Sequence, residues 1–380
     1  MPNPQGNLIL SVTLLLLSRG IILSSSTAQT LPKLDQPLLT QTDVVQETEA
    51  EIIAEITQGP GNITITPSGR IIISLHQFYQ TEDRVVEVAP DGSLIPFPNL
   101  EWTRGRNPDG TGLDTVLGIQ SDANGVVWML DNGMRGQVTP QLVAWDTRTN
   151  SLTEVIPLPP PVSESNSFLN DLAVSDEAIY IADTTVGGTP ALIVVDLNTR
   201  KARRVLIGHQ SVVPEDIDLI VDGTPVQILQ PDGNLIRPRV GVNPITLDSN
   251  QEWLYFGPMH GTRLYRIRTQ DLLNTQLSEA QLAQKVEDYA ERPISDGIII
   301  DRSNNIYITD VGANAIGVIG SDRTYQVLLS APWISWPDAF SIGPDGYIYS
   351  LINQLHRTPP LNAGIDKTVP PFLLIRFKPR

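Results

Sequence analysis

Residues 295–310 read SDGIIIDRSNNIYITD. An apolar triplet, Ile298 to Ile300, enters a polar turn, and a second run, Ile306 to Ile308, leaves it. Short runs rich in Ile and Tyr around an Asp/Ser/Asn turn predict a β-hairpin. An Asp stands at each end, Asp296 before the first run and Asp310 after the second.

The same grammar occurs six times. The other copies are GNITITPSGRIIISLH from Gly61, LGIQSDANGVVWMLDN from Leu117, LNDLAVSDEAIYIADT from Leu169, VNPITLDSNQEWLYFGP from Val242 and WPDAFSIGPDGYIYSLI from Trp336. Several continue into a third, alternating run, such as PALIVVDLNTRKARRVLI after the Leu169 copy. Strand, turn, strand, turn, strand, recurring at roughly fifty residues, is the pattern of a propeller blade. A sandwich does not repeat its unit six times, and solenoid repeats are shorter. The expected fold is all-β: a six-bladed β-propeller over residues 46–380.

A long insertion, about residues 208–240, separates the third and fourth copies and is expected to hold an extra hairpin; long ordered insertions are often functional. One short surface helix is expected in NTQLSEAQLAQKVEDYA, residues 274–290, where Ser278 and Gln281 form a capping-box pattern. A propeller ring must close, so FLLIRF near the C-terminus and EAEIIAEI, residues 49–56, are expected to take part in closure.

The 380 residues include 42 Asp and Glu against 26 Lys and Arg, a formal net charge of -16. That balance argues against a nucleic-acid partner and suits cationic ligands, metal ions or simple solubility. There is no Cys, which excludes disulfides and thiolate chemistry. The apolar stretch Leu8–Ser18 followed by Ser26-Thr27-Ala28 reads as a signal peptide, residues 1–28. Arg19 interrupts that stretch and leaves it too short to span a bilayer. Residues 29–45 read as a linker. The expected location is secreted or periplasmic, with no membrane association after signal cleavage.

From about Phe168 to Arg357 the chain resembles the major royal jelly protein/yellow family. The likeness runs in order through FLNDLAVSDEAIYIADT, GVNPITLDSNQEWLYFGPMHGTRLYRIRTQDL, SDGIIIDRSNNIYITDVGANAIGVI and WPDAFSIGPDGYIYSLINQLHR. The resemblance implies a secreted six-bladed propeller with a ligand site at the mouth of its channel. Members differ in role: yellow-like proteins are linked to dopachrome conversion, salivary relatives bind biogenic amines, and royal jelly members are largely nutritive. A more distant likeness is to the gluconolactonase/senescence-marker and paraoxonase propellers. It implies a divalent cation in the channel, usually calcium, with Asn170 and Asp296 as metal ligands. The glutamate those propellers place after a Gly-Pro in the first blade is missing here; the chain reads GPGN, with Asn62 nearby.

Inner strands of a propeller line its channel, so the residues that open the six copies converge on one axis. Here they are Asn62, Gly118, Asn170 with Asp171, Asn243, Asp296 and Asp338. Oxygen donors without Cys suit calcium or magnesium, or hydrogen bonds to a sugar, lactone or amine. Asn and Asp before a strand also cap turns through the backbone. His260, in a Gly-rich turn, is a candidate acid/base, while Trp333 and Trp336 either wall the pocket or pack under the last blade. Asp131, Asp183 and Asp310, after the second runs, are expected to be structural fasteners between blades. Three functions stay open: small-molecule binding at the channel mouth, a calcium-dependent lactonase or isomerase, and a protein-interaction platform.

Overall fold

The computed structural model describes residues 49–185 and 187–380; the expected signal peptide and linker lie outside the described residues. Six four-stranded antiparallel sheets are present, with two further two-stranded hairpins. The six quoted copies are the two inner strands of six propeller blades. Their innermost strands are Pro60–Ile65, Val116–Ser121, Leu169–Val174, Val242–Leu247, Ile298–Ile300 and Pro337–Ile342.

Why the second runs are so apolar follows from their position. Each is sandwiched between neighbouring blades and buried on both faces; in Val126–Asp131 and Ala178–Asp183 every residue is buried. The core is accordingly layered. One cluster joins blades 3 and 4 through Tyr180, Leu192, Phe256 and Ile267, another joins blades 2 and 3 through Trp128, Leu142, Ile179 and Ile193, and the remaining interfaces follow suit.

Closure uses both ends of the described chain. Phe372–Phe377 is the third strand of blade 6, and Ala50–Ile56 pairs with it as the fourth. Arg376 reinforces the seam by donating to Glu51 at 2.8 Å.

The fasteners between blades are not the ones expected. Asp131 accepts from the N–H groups of Asp114 and Thr115 at 3.0 and 2.9 Å and pairs with Arg106, all at the approach to its own blade's first strand. Asp183 likewise holds Phe168 N–H at 2.9 Å and pairs with Arg204 of its own blade. Asp310 accepts from Tyr325 in the same blade at 2.8 Å. The three aspartates therefore lock blades 2, 3 and 5 internally: Asp131 and Asp183 hold the start of their own blade's first strand, and Asp310 its fourth strand. Stitches between blades come from inner-strand side chains. Ser341 accepts from Ile65 N–H at 2.9 Å, Thr64 from Ser121 N–H at 2.7 Å, and Gln120 from Val174 N–H at 2.8 Å.

The helix expected in residues 274–290 forms over Glu279–Ala283 with its Ser278/Gln281 capping box, and Leu282 is buried. Its tail instead becomes the fourth strand of blade 4, Glu287–Glu291, because the sheet edge there is otherwise unpaired. Two more short helices, Leu100–Thr103 and Thr269–Leu273, connect strands. The insertion holds two hairpins rather than one, Ile220–Val221 with Thr224–Pro225 and Ile228–Leu229 with Leu235–Ile236. Among the described residues no helix is long and apolar enough to cross a membrane.

Candidate functional site

Five of the six innermost strands carry the same irregularity: one extra residue against the partner strand, at Pro60/Ile63, Val116/Ile119, Leu169/Leu172, Val242/Ile245 and Pro337/Phe340. Such bulges re-aim side chains out of the regular ladder. The bulged positions include Asn62, Gly118, Asn170, Asp171, Asn243 and Asp338. In blade 5 the ladder starts only at Ile298, and Asp296 and Gly297 give their N–H groups to Thr309 Oγ1 at 3.0 and 2.9 Å.

The side chains meet at one end of the channel, in a cavity of about 310 Å³ bordered by Asn62, Asn170, Asp171, Asn243, Asp296, Asp338 and His260. Most of them are wired across blades, and Asp338 within its own blade. Asn62 Nδ2 donates to Asp171 Oδ1 at 2.9 Å. Asn170 donates to Asn243, and Asn243 Nδ2 donates to Asp296 Oδ1 at 2.5 Å. Asp338 accepts from Asn353 Nδ2. Gly118 lets blade 3 approach blade 2: a Cβ there would sit 2.9 Å from Asp171 Cα and 3.0 Å from Asn170 O.

Trp336 belongs to this network, and Trp333 does not. The Trp336 indole, 1% exposed, donates to Asp296 Oδ2 at 2.7 Å and stacks on His356. Its backbone lies in the left-handed region, φ 59°, which a bulky residue adopts only when its surroundings impose it. Trp333 is 41% exposed and does not border the cavity.

Three carboxylates thus share a buried space. Burial pushes the Asp171 carboxyl up to about 7, and the nearby Asp296 charge adds to the rise. Burial also raises Asp296, against the opposing indole and Asn243 amide donors. Asp338 is raised well above the carboxylate range by burial, then by Asp296 and Asp171. Like charges this close in low dielectric do not all ionise near neutrality. Asp171 Oδ2 and Asp338 Oδ1 accept no hydrogen bond among the described residues.

His260 is 1% exposed; its Nδ1 accepts from Val240 N–H at 3.1 Å and its Nε2 has no partner. Burial, with Arg239 nearby, pushes its pKa down to about 4, so the ring is neutral with the proton on Nε2. As a base near pH 7 it is poorly matched; as a hydrogen-bond donor it is ready.

The walls were not singled out in the sequence. Leu219, Val226, Ile228 and Ile236 from the insertion, with Phe78, Met259 and Leu355, line the same cavity as the polar side chains. Leu219, Val226, Met259 and Leu355 also join Val221 and Trp336 in an apolar cluster of their own. The signal was there in LIVDGTPVQIL, residues 219–229, whose apolar residues form no blade.

Calcium would draw on Asn170 and Asp296, and an all-oxygen set is the right donor type. As arranged, however, both Asp296 oxygens accept hydrogen bonds, and Asn170 is turned with its amide toward Asn243. Among the described residues no group of three or more His, Cys, Asp or Glu is gathered as a metal site. As arranged, Asn170, Asn243, Asp296 and Trp336 form a hydrogen-bonded chain.

A family model described as "Major royal jelly protein" matches residues 115–358, well over half of the chain. The chain belongs to the major royal jelly protein family. Among the curated relatives of this family member, major royal jelly protein 1 of Apis mellifera is 21% identical over 252 residues, covering 62% of this chain and 55% of the relative. Major royal jelly protein 7 of Apis mellifera is 20% identical over 246 residues, covering 61% and 52%. The chain thus spans about half the length of the curated relatives it matches. Among solved structures, a gluconolactonase from Xanthomonas campestris superposes with a TM-score of 0.55 at 11% identity, covering 88% of this chain and 90% of that one. A luciferin-regenerating enzyme gives a TM-score of 0.54 at 11% identity, covering 87% and 95%. At these identities the likeness extends to the propeller fold alone.

Proposed function

We propose that this royal jelly family member is an exported propeller that binds a small polar or cationic molecule at the channel mouth, with a protonated amine as its preferred head group. The observation that carries this reading is the floor of Asp171, Asp296 and Asp338 in a cavity with apolar walls. A cation placed among three crowded carboxylates relieves their mutual repulsion and offsets their burial. The cation bordering the cavity, Arg239, is held by Asp216 and Asp218. Among the described residues no other Arg or Lys borders the cavity.

The test is thermal shift and titration calorimetry with small primary amines against alcohols of equal size. Amines are expected to bind and the alcohols to bind at least tenfold more weakly. Amine affinity rises from pH 5 to pH 8, because the carboxyls must lose protons that the empty cavity retains. Equal binding of amines and alcohols, or a flat pH profile, would sink the reading. Export rests on the Leu8–Ser18 segment and is checked by N-terminal sequencing of the mature protein, expected to begin after Ala28.

A second reading is a calcium-dependent lactonase or isomerase. What favours it is that Asn170, Asn243 and Asp296 touch in series, so turning both amides would group their oxygens. It requires calcium alone to raise the melting temperature of the metal-stripped protein, and Asp296→Asn to abolish that effect.

A further inference from the structure

The channel has a second cavity, of about 300 Å³, bordered by the last residues of the innermost strands, at the end away from the mouth. It meets the mouth cavity at Asn62, Asp171 and Ala339. Much of its polarity comes from the backbone. Near the end of each innermost strand one N–H donates across its own hairpin: those of Thr66, Asp122, Ser175, Asp248, Asp301 and Gly343 do so at 2.9–3.0 Å. Peptide groups alternate in direction along a strand, so the residue before each of these turns its N–H and C=O away from its own sheet, toward the channel. In blades 1, 2 and 3 those N–H groups, of Ile65, Ser121 and Val174, are taken up by Ser341, Thr64 and Gln120 of the preceding blade. In blades 4, 5 and 6 they belong to Leu247, Ile300 and Ile342, which all border the cavity. The preceding blades place Ala173, Thr246 and Ile299 at the stitching position. Ala173 and Ile299 have no side-chain oxygen to offer, and among the described residues the Thr246 hydroxyl, which borders the cavity, makes no stitch to blade 5. Half of the ring is stitched, and the other half turns its peptide groups to the cavity, where each needs a partner.

We propose that this half-stitched ring is a second binding site, for a small neutral polyhydroxy molecule of the cyclitol or monosaccharide kind. A hydroxyl group both donates and accepts, and the wall of blades 4, 5 and 6 offers N–H and C=O groups side by side. Side chains add to it: the Thr246 and Ser249 hydroxyls, and the amide NH₂ of Gln120, whose Oε1 already holds Val174 N–H. Among the described residues no Lys or Arg borders the cavity to hold an anion, and the three N–H groups repel a cation. The bordering carboxylates, Asp171 and Asp248, accept from Asn62 Nδ2 and Trp253 N–H, each at 2.9 Å. A polyhydroxy ligand satisfies several peptide groups at once in place of separate waters. The site does not depend on how the mouth is read.

The probes are myo-inositol and D-glucose, with cyclohexanol as the single-hydroxyl control, titrated into the full chain and followed by calorimetry and thermal shift. At least one of the two polyols is expected to bind tenfold or more tightly than cyclohexanol. Thr246→Val keeps the shape of a half-buried side chain and removes its hydroxyl. It should weaken the polyol about three- to tenfold, the loss of one hydrogen bond. Ala173→Ser copies the blade 6 arrangement, in which Ser341 holds Ile65 N–H, and gives Leu247 N–H an acceptor. It should raise the melting temperature and weaken the polyol by a similar factor. Neither variant should change amine binding at the mouth. Where Ala173→Ser fails to fold, Thr246→Val still decides. Binding of cyclohexanol as tight as that of the polyols, or no binding by either polyol, overturns the proposal. So does polyol affinity that every folded variant retains in full, or a crystal structure of the complex with the polyol at the mouth.

Discussion

At the scale of single residues, the aspartates that bracket SDGIIIDRSNNIYITD are not equivalent. Asp296 is held between the Asn243 amide and the Trp336 indole at the channel floor, and Asp310 takes one tyrosine hydroxyl inside its blade. Trp336→Phe removes the indole donor while keeping the packing. It should cost about 1–3 kcal/mol in stability, the usual penalty for a stranded buried acceptor, and move the midpoint of amine binding to higher pH. Unchanged denaturant midpoint and pH profile would show the indole bond to be incidental. Gly118→Ala forces a Cβ against the blade 3 backbone. It is expected to weaken binding and lower the melting temperature by several degrees, about what 1–3 kcal/mol of overpacking produces.

Elements hold together in two separate ways. Within blades 2 and 3, a buried aspartate at the second strand's exit holds backbone N–H groups at the first strand's start and pairs with an arginine, Arg106 or Arg204. Between blades, Ser341, Thr64 and Gln120 stitch the inner strands. Asp183 is fully buried and Arg204 nearly so. Asp183→Ala leaves that arginine unpaired, and a loss of about 3–5 kcal/mol is expected by chemical denaturation; under 1 kcal/mol would mean water replaces the carboxylate. Deleting the chain through Ile56 removes the outermost strand of blade 6 and bares Phe372–Phe377 as an edge. Aggregation on concentration is the expected outcome, read by light scattering.

Across the whole molecule, buried titratable groups pull stability in opposite directions with pH. Asp171 has a folded pKa of about 7, above its unfolded value, so the native state binds the extra proton and stability falls as pH rises from about 4 to 7. His76, His260 and His356 are depressed to about 3, 4 and 4, chiefly by burial, so they remove stability as pH falls below about 6.5. The raised carboxyl therefore offsets part of what the three imidazoles contribute between about pH 4 and 6.5. Asp171→Asn isolates one arm: its melting temperature relative to wild type should rise from pH 5 to pH 8 by a few degrees, followed by calorimetry. A constant offset would place Asp171 in an ordinary solvated state.

The sequence alone determined the six blades, because each copy writes its strands and turn locally and repetition makes six independent statements of one pattern. It also named the polar floor, since residues that open equivalent inner strands must converge on the ring's axis. It did not give the walls or the wiring. Leu219, Ile228 and Ile236 reach the cavity only through the fold of the insertion, and of the two nearby indoles it is that of Trp336 that meets Asp296. Those contacts join residues 40 to 100 positions apart or more, and no local preference of either partner encodes the meeting. Convergence of repeats is readable from periodicity; the partner each converging side chain finds is settled only by packing in three dimensions.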